Sequence, residues 1–158
     1  MFFHPICLLA GFIHADLNTN NILIRRPAVS PASHDAEYLV DGVIDISDSM
    51  HSHIVYDIAI AICHFTLAKG MDAVRLLRRG AAILRGFRQV VMLNPAELHA
   101  LKYLIILRRL TVFVMGKHLL LFDPGRTVFR GYEEEDQQRQ MEILWNCDQQ
   151  QLADLWDL

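Results

Sequence analysis

Asp16 and Asn21 stand five residues apart, with His14 two residues before the aspartate. The run His14-Ala15-Asp16-Leu17-Asn18-Thr19-Asn20-Asn21 leads directly into the apolar Ile22-Leu23-Ile24. A loop carboxylate can accept or orient the proton of an attacking hydroxyl, and an amide oxygen further along the same loop can hold a metal ion. Downstream, Tyr38-Leu39-Val40-Asp41-Gly42-Val43-Ile44 ends in Asp45, followed by Ile46-Ser47-Asp48. A carboxylate closing a strand is a hard oxygen donor suited to Mg²⁺. These residue types point to phosphoryl transfer, in which a metal neutralises phosphate charge while an aspartate positions the nucleophile. The plainer alternative is that the Asn and Asp residues of both segments simply make turns.

The elements that must position these groups can be read from pattern. Residues 22–24 and 37–44 form a natural antiparallel pair, and the intervening 25–36 have loop composition. Such a hairpin brings Asn21 and Asp45 to the same end of two paired strands, where one metal could meet both. After Asp48 the periodicity turns helical. Helices are expected over 54–68, over 71–93, and from the start signal Asn94-Pro95-Ala96-Glu97 to about Leu121, ahead of Asp123-Pro124-Gly125. A last helix over about 133–155 would stripe Met141, Leu144, Trp145, Leu152, Leu155 and Trp156 along one side. The fold class is therefore α+β and mainly α-helical.

The loop matches the protein-kinase pattern H-R-D-L-x-x-x-N at His14, Asp16, Leu17 and Asn21, with Ala15 in the arginine position. With Ile44-Asp45-Ile46-Ser47-Asp48 and the helix start Asp57-Ile58-Ala59, residues 14–61 resemble the aminoglycoside phosphotransferase/choline kinase-like family, and the hydroxylysine kinases within it most. The resemblance implies a protein-kinase-like C-terminal lobe with a small catalytic β-hairpin, one domain over 1–158. Its parts would be a catalytic loop at 14–24, a metal-binding motif at 43–48 and a helical subdomain at 54–158. It makes Asp16 the catalytic aspartate and Asn21 and Asp45 the Mg²⁺ ligands. His14 becomes a brace of the loop, and Asp57 a residue that hydrogen-bonds the loop backbone; it names no substrate-binding residue. The donor would be GTP or ATP. The acceptor would be a hydroxyl on a small amine-bearing molecule, 5-hydroxylysine favoured, with choline, an aminoglycoside or homoserine as alternatives.

Two departures accompany the resemblance. Ala15 replaces the usual glycine, a mild change if the backbone there avoids positive φ, and Ile46-Ser47 replaces Phe-Gly. Only 13 residues precede His14, with neither lysine nor glutamate among them, and no G-x-G-x-x-G or V-A-I-K run occurs elsewhere. The nucleotide-covering N-terminal lobe is therefore expected to be absent from this chain. A rival expectation is a catalytically inactive lobe that binds a partner, or a second copy, through the face such a lobe would cover.

Length and composition suit one domain able to bury a core. Hydrophobic residues make up 53% and the mean hydropathy is +0.21, as fits either an open apolar interface or a leucine-rich helical core. A net charge of −3 gives no support for a nucleic-acid partner. Arg75, Arg78, Arg79, Arg85 and Arg88, and the pair Arg108-Arg109, read as solvated helix faces. A cationic acceptor calls for carboxylates, and Glu133-Glu134-Glu135-Asp136 could wall its site, though a helix N-terminus suits that tract better. Cys7, Cys63 and Cys147 lack metal-ligand spacing and suggest reduced thiols in a cytoplasmic protein without zinc. His51 and His53 find no third ligand and are expected in a loop over the active site. Residues 5–13 lack the flanks of a signal peptide. The apolar stretch 103–114 is interrupted by Arg108 and Arg109 and falls short of the roughly 20 residues of a membrane span.

Overall fold

The computed structural model describes residues 8–26, 38–125 and 134–156. Cys7, residues 27–37 of the hairpin loop, Glu133 and the Leu155 side chain lie outside the described residues. The elements in chain order are β1 (Ala10–Ile13), β2 (Ile22–Arg25), β3 (Leu39–Val43), a 3₁₀ turn (Ile46–Asp48), β4 (Met50–His53), α1 (Ile54–Phe65), α2 (Ala73–Arg88), α3 (Pro95–Phe122), α4 (Glu134–Asn146) and α5 (Gln149–Trp156). The architecture is α+β and mainly helical, with two small antiparallel sheets, β1–β4 and β2–β3.

The β2–β3 hairpin pairs Ile22 with Val43 and Leu23 with Gly42, then shifts register so that Ile24 faces Val40. Asp41 is the extra residue of this bulge, and its carboxylate meets Arg25 at 3.0 Å. The second sheet corrects the sequence expectation. Residues 51–53 are not a loop: they form β4, in which His51 lies opposite Phe12 and Ser52 opposite Gly11. Two contacts secure this pairing. The Ile54 N–H donates to the Leu9 carbonyl at 2.9 Å. The Ile54 side chain also occupies the space a Cβ on Gly11 would need, only 2.9 Å away.

The helices enclose one apolar core. Val55, Ile58, Ile62 and Cys63 of α1 pack with Leu76, Ala81 and Leu84 of α2, Leu101 and Ile105 of α3, and Leu144, Leu152 and Trp156 of α4 and α5. The start of α3 is a full capping box: the Asn94 side chain accepts from the Ala96 and Glu97 N–H groups, and Glu97 accepts from Asn94 N–H at 2.8 Å. The other Glu97 oxygen accepts from Leu9 N–H at 2.6 Å, so this fully buried carboxylate also anchors the chain entering β1. No helix of the described residues is long and apolar enough to cross a membrane.

The expected single terminal helix is two. Asp148 caps α5 by accepting from Gln151 N–H at 2.7 Å, while Lys102 Nζ donates to the Cys147 carbonyl at 2.8 Å. The break lets Leu144 and Leu152 both reach the core but leaves Trp145, an expected stripe residue, 65% exposed. Glu134, Glu135 and Asp136 occupy the first turn of α4. There Asp136 accepts from Gly70 N–H and Arg139, and Glu134 pairs with Lys117, so the acidic tract serves a helix N-terminus.

Arg109 is the largest departure in the core. Expected on a solvated face, it is fully buried. Its Nη1 donates to Gln140 Oε1 at 2.6 Å and its Nη2 to the Thr66 hydroxyl. Gln140 in turn donates to the Ala68 carbonyl at 2.8 Å, and Arg109 Nε has no hydrogen-bond partner. Burial pushes the arginine below its ordinary pKa, opposed by the Cys63 thiol. The same burial raises Cys63 to about 11, against the pull of Arg109 and Arg108, so this thiol is inert. Gln140→Leu should therefore leave both Arg109 Nη1 and the Ala68 carbonyl without partners and cost about 3 kcal/mol. Urea unfolding would register this as a lower midpoint at unchanged slope; a loss below about 1 kcal/mol would show that the Arg109 network does not hold α1, α3 and α4 together.

Candidate active site

The loop between β1 and β2 is shaped by a carboxylate outside it. Asp57, in the first turn of α1, accepts from His14 N–H through Oδ2 and from Ala15 N–H through Oδ1, both at 3.0 Å. These bonds hold Ala15 at φ 67°, in the left-handed region. The condition under which an alanine in this place would be mild is therefore not met, because an L-residue is disfavoured at positive φ.

His14 bridges the loop and the far end of the hairpin. Its Nε2–H donates to the Ile44 carbonyl at 3.0 Å, and its Nδ1 accepts from Asp16 N–H at 3.3 Å. A carbonyl can only accept, so the two bonds together define the tautomer. The Asp16 carboxylate is held from three sides. Asn18 Nδ2 reaches Oδ2 at 2.8 Å, Asn21 Nδ2 reaches Oδ2 at 3.3 Å, and Arg108 Nη2 reaches Oδ1 at 2.8 Å.

Asn21 is buried and also donates to the Asp16 carbonyl at 2.9 Å. Its amide nitrogen is thereby turned toward Asp16, leaving Oδ1 as the atom that could meet a cation. The Ile44 N–H donates to the Asn21 carbonyl at 3.0 Å, continuing the β2–β3 ladder by one step and bringing Asp45 next in chain to that contact. Asp45 is exposed, adopts φ 60°, ψ 61°, and accepts from the Ser47 hydroxyl at 3.0 Å. An amide oxygen and a carboxylate are hard donors that fit Mg²⁺, which commonly takes one or two protein carboxylates and completes its shell with phosphates and water. Among the described residues no group of three or more His, Cys, Asp or Glu surrounds a metal position.

Sequence reasoning missed Arg108. Expected on a solvated face, its side chain is 28% exposed and its guanidinium touches Asp16. The signal was present: counted from the Asn94 cap, buried Leu101 and Ile105 place 108 and 109 on the inward side of α3. Arg108 also donates from Nε to His64 Nε2 at 3.3 Å. Burial first, then the Arg108 charge, push His64 from its ordinary 6.5 down to about 4, against the pull of Asp16. Between α1 and α3 lies a cleft of about 330 Å³, whose lining includes Tyr56, Ile60, Leu104, Leu107, Arg108 and Thr111.

Two tests follow from this geometry. Ala15→Gly should relieve the left-handed alanine and raise stability by roughly 0.5–1 kcal/mol after the entropic cost of glycine; a lower thermal midpoint in the variant would contradict the observed φ. His64 has a folded-state pKa below its unfolded value, so the unfolded chain takes up the proton first. Its contribution to stability is complete above about 6.5 and is lost as the pH falls toward about 4. His64→Gln should flatten the stability profile in that window; an unchanged profile would mean that the imidazole is not held neutral.

No family model matches the chain. The chain is 25% identical to a hydroxylysine kinase of Xenopus laevis over 150 residues, 95% of this chain and 39% of that protein. A hydroxylysine kinase of Bos taurus is 25% identical over 143 residues, 90% of this chain and 36% of that protein. A homoserine kinase of Granulibacter bethesdensis is 33% identical over 100 residues, 63% of this chain and 27% of that protein. The chain thus spans less than two fifths of the length of these relatives. Across nearly its whole length it is similar to proteins named as kinases of small molecules.

Proposed function

We propose that this chain forms the catalytic lobe of a kinase-fold enzyme that transfers the γ-phosphoryl group of GTP or ATP to the hydroxyl of a small amine-bearing molecule, 5-hydroxy-L-lysine foremost. The observation that carries this is the shared bonding of Asp16, Asn21 and the Ile44–Asp45 turn. It brings a candidate base and two oxygen ligands to one end of a hairpin. In this mechanism the acceptor hydroxyl donates to the Asp16 carboxylate, which orients it for in-line attack. As the new O–P bond forms and the bond to the β–γ bridging oxygen breaks, Asp16 takes the hydroxyl proton and the nucleoside diphosphate leaves. Asn21 Oδ1 and Asp45 would hold Mg²⁺, which when bound neutralises charge on the phosphate oxygens. Asn18, Asn21 and Arg108 fix the orientation of Asp16. Asp57 and His14 fix the backbone on which it sits.

A non-catalytic role has one observation in its favour. Ile24, Val40 and Ile46 are each more than 60% exposed around the hairpin, and Phe12 is 77% exposed on β1. Such a surface suits a protein partner. The deciding experiment is Mg²⁺-dependent transfer from GTP and ATP to 5-hydroxylysine, with Asp16→Asn and Asp45→Ala as controls. Each substitution should lower turnover by about 10²-fold or more with the fold retained by circular dichroism. Undiminished transfer in either variant would sink the phosphotransferase assignment; no transfer from the folded parent chain would mean that a nucleotide-covering lobe is essential or the acceptor is another, and would move the partner-binding role ahead.

A further inference from the structure

Arg108 is, among the described residues, the side chain common to the Asp16 network and the α1–α3 cleft. Its place limits how an acceptor can arrive. A carboxylate offers about four lone-pair sites. Asn18 and Asn21 both bond Oδ2 of Asp16, and Arg108 bonds Oδ1. The remaining site lies on Oδ1, the oxygen that the guanidinium also holds, so an acceptor hydroxyl must dock beside a fixed positive charge. The α1–α3 cleft that Arg108 also lines is aliphatic at Ile60, Leu104 and Leu107 and carries the hydroxyl-bearing Tyr56 and Thr111. The bonds to Asp16 and His64 use Nη2 and Nε. The Nη1 group supplies two further N–H donors of the planar guanidinium fork, one or both of which a carboxylate oxygen can accept.

An acceptor without an anionic group would leave those Nη1 donors without a partner. A hydroxy amino acid would present a carboxylate a few bonds from its hydroxyl. The acceptors in the names of the relatives, hydroxylysine and homoserine, are both amino acids. Resting on the phosphotransferase assignment above, we infer that Arg108 determines acceptor specificity: its guanidinium binds the acceptor's carboxylate while holding Asp16, so the cleft selects hydroxy amino acids over hydroxy amines.

Binding rather than turnover tests this, so that its failure is separable from that of the phosphotransferase assignment. The parent chain is titrated with 5-hydroxy-L-lysine and with its decarboxylated counterpart, 1,5-diaminopentan-2-ol, by calorimetry or NMR shift mapping. The amino acid should bind about tenfold or more tightly, with shifts at Arg108 and the α1–α3 cleft. In Arg108→Met the preference should collapse to about twofold or less, and Arg108→Lys, which keeps charge but loses the fork, should fall between. Equal binding of the two ligands by the parent chain, no saturable binding of either, or a preference that survives in Arg108→Met would each overturn the inference. The parent comparison needs no variant, so it stands even if Arg108→Met fails to fold. The transfer assay then judges the phosphotransferase assignment on its own.

Discussion

One carboxylate sets the shape on which the site depends. A loop that turns through positive φ at an alanine is unfavourable by roughly 1–2 kcal/mol, and its N–H groups need acceptors. Asp57 supplies both acceptors at once, and each hydrogen bond to a charged group contributes about 1.5–3 kcal/mol. The gain exceeds the strain, so α1 dictates the loop's conformation and not the reverse. Because Asp57 lies in the first turn of α1, the loop is fixed relative to the helix that packs most extensively on α3. Asp16 is thereby delivered to Arg108.

Helix α3 is the spine that connects core and chemistry. Near its start, buried Glu97 receives the chain entering β1. Eleven and twelve residues on, two adjacent arginines diverge: Arg108 turns to Asp16 and His64, while Arg109 enters the core and binds Thr66 and Gln140. Buried charges with neutral partners are costly unless their donors are satisfied. Arg109 therefore fixes the rotation of α3, and that rotation aims Arg108. Positioning of the Asp16 carboxylate is in this sense a consequence of core packing one residue further along the same turn.

The parts legible in sequence were the local ones. The Asn94 cap, the 22–24 and 37–44 pairing, and the spacing of His14, Asp16 and Asn21 depend on neighbours within a few residues or across one hairpin, and pattern reports them. What pattern missed was decided at long range. The β1–β4 pairing joins segments some forty residues apart, and Met50-His51-Ser52-His53 has neither alternation nor β-branched residues to announce a strand. The break at Cys147 is set by Asp148 capping and by Lys102 from another helix. The arginine pair was misjudged because charge was weighed above helical phase. The departure at Ala15 was visible, but its backbone conformation was not, since that is held by Asp57, 42 residues away.

The two halves of the site are not equally well held. Asp16 is bound to three side chains and rests on a loop clamped to α1, whereas Asp45 lies at the end of a two-stranded hairpin whose flanks are largely exposed. Such a hairpin is marginal by itself. Two bonds tie it to the loop: Ile44 N–H to the Asn21 carbonyl, and His14 Nε2–H to the Ile44 carbonyl. His14 is therefore more than a loop brace, because one ring spans both halves with Nδ1 toward Asp16 and Nε2 toward the hairpin. A second proton on that ring would turn Nδ1 into a donor facing the Asp16 N–H, and the bond there would be lost. The relative placement of Asp16 and the Ile44–Asp45 turn thus depends on the His14 tautomer that the Ile44 carbonyl selects.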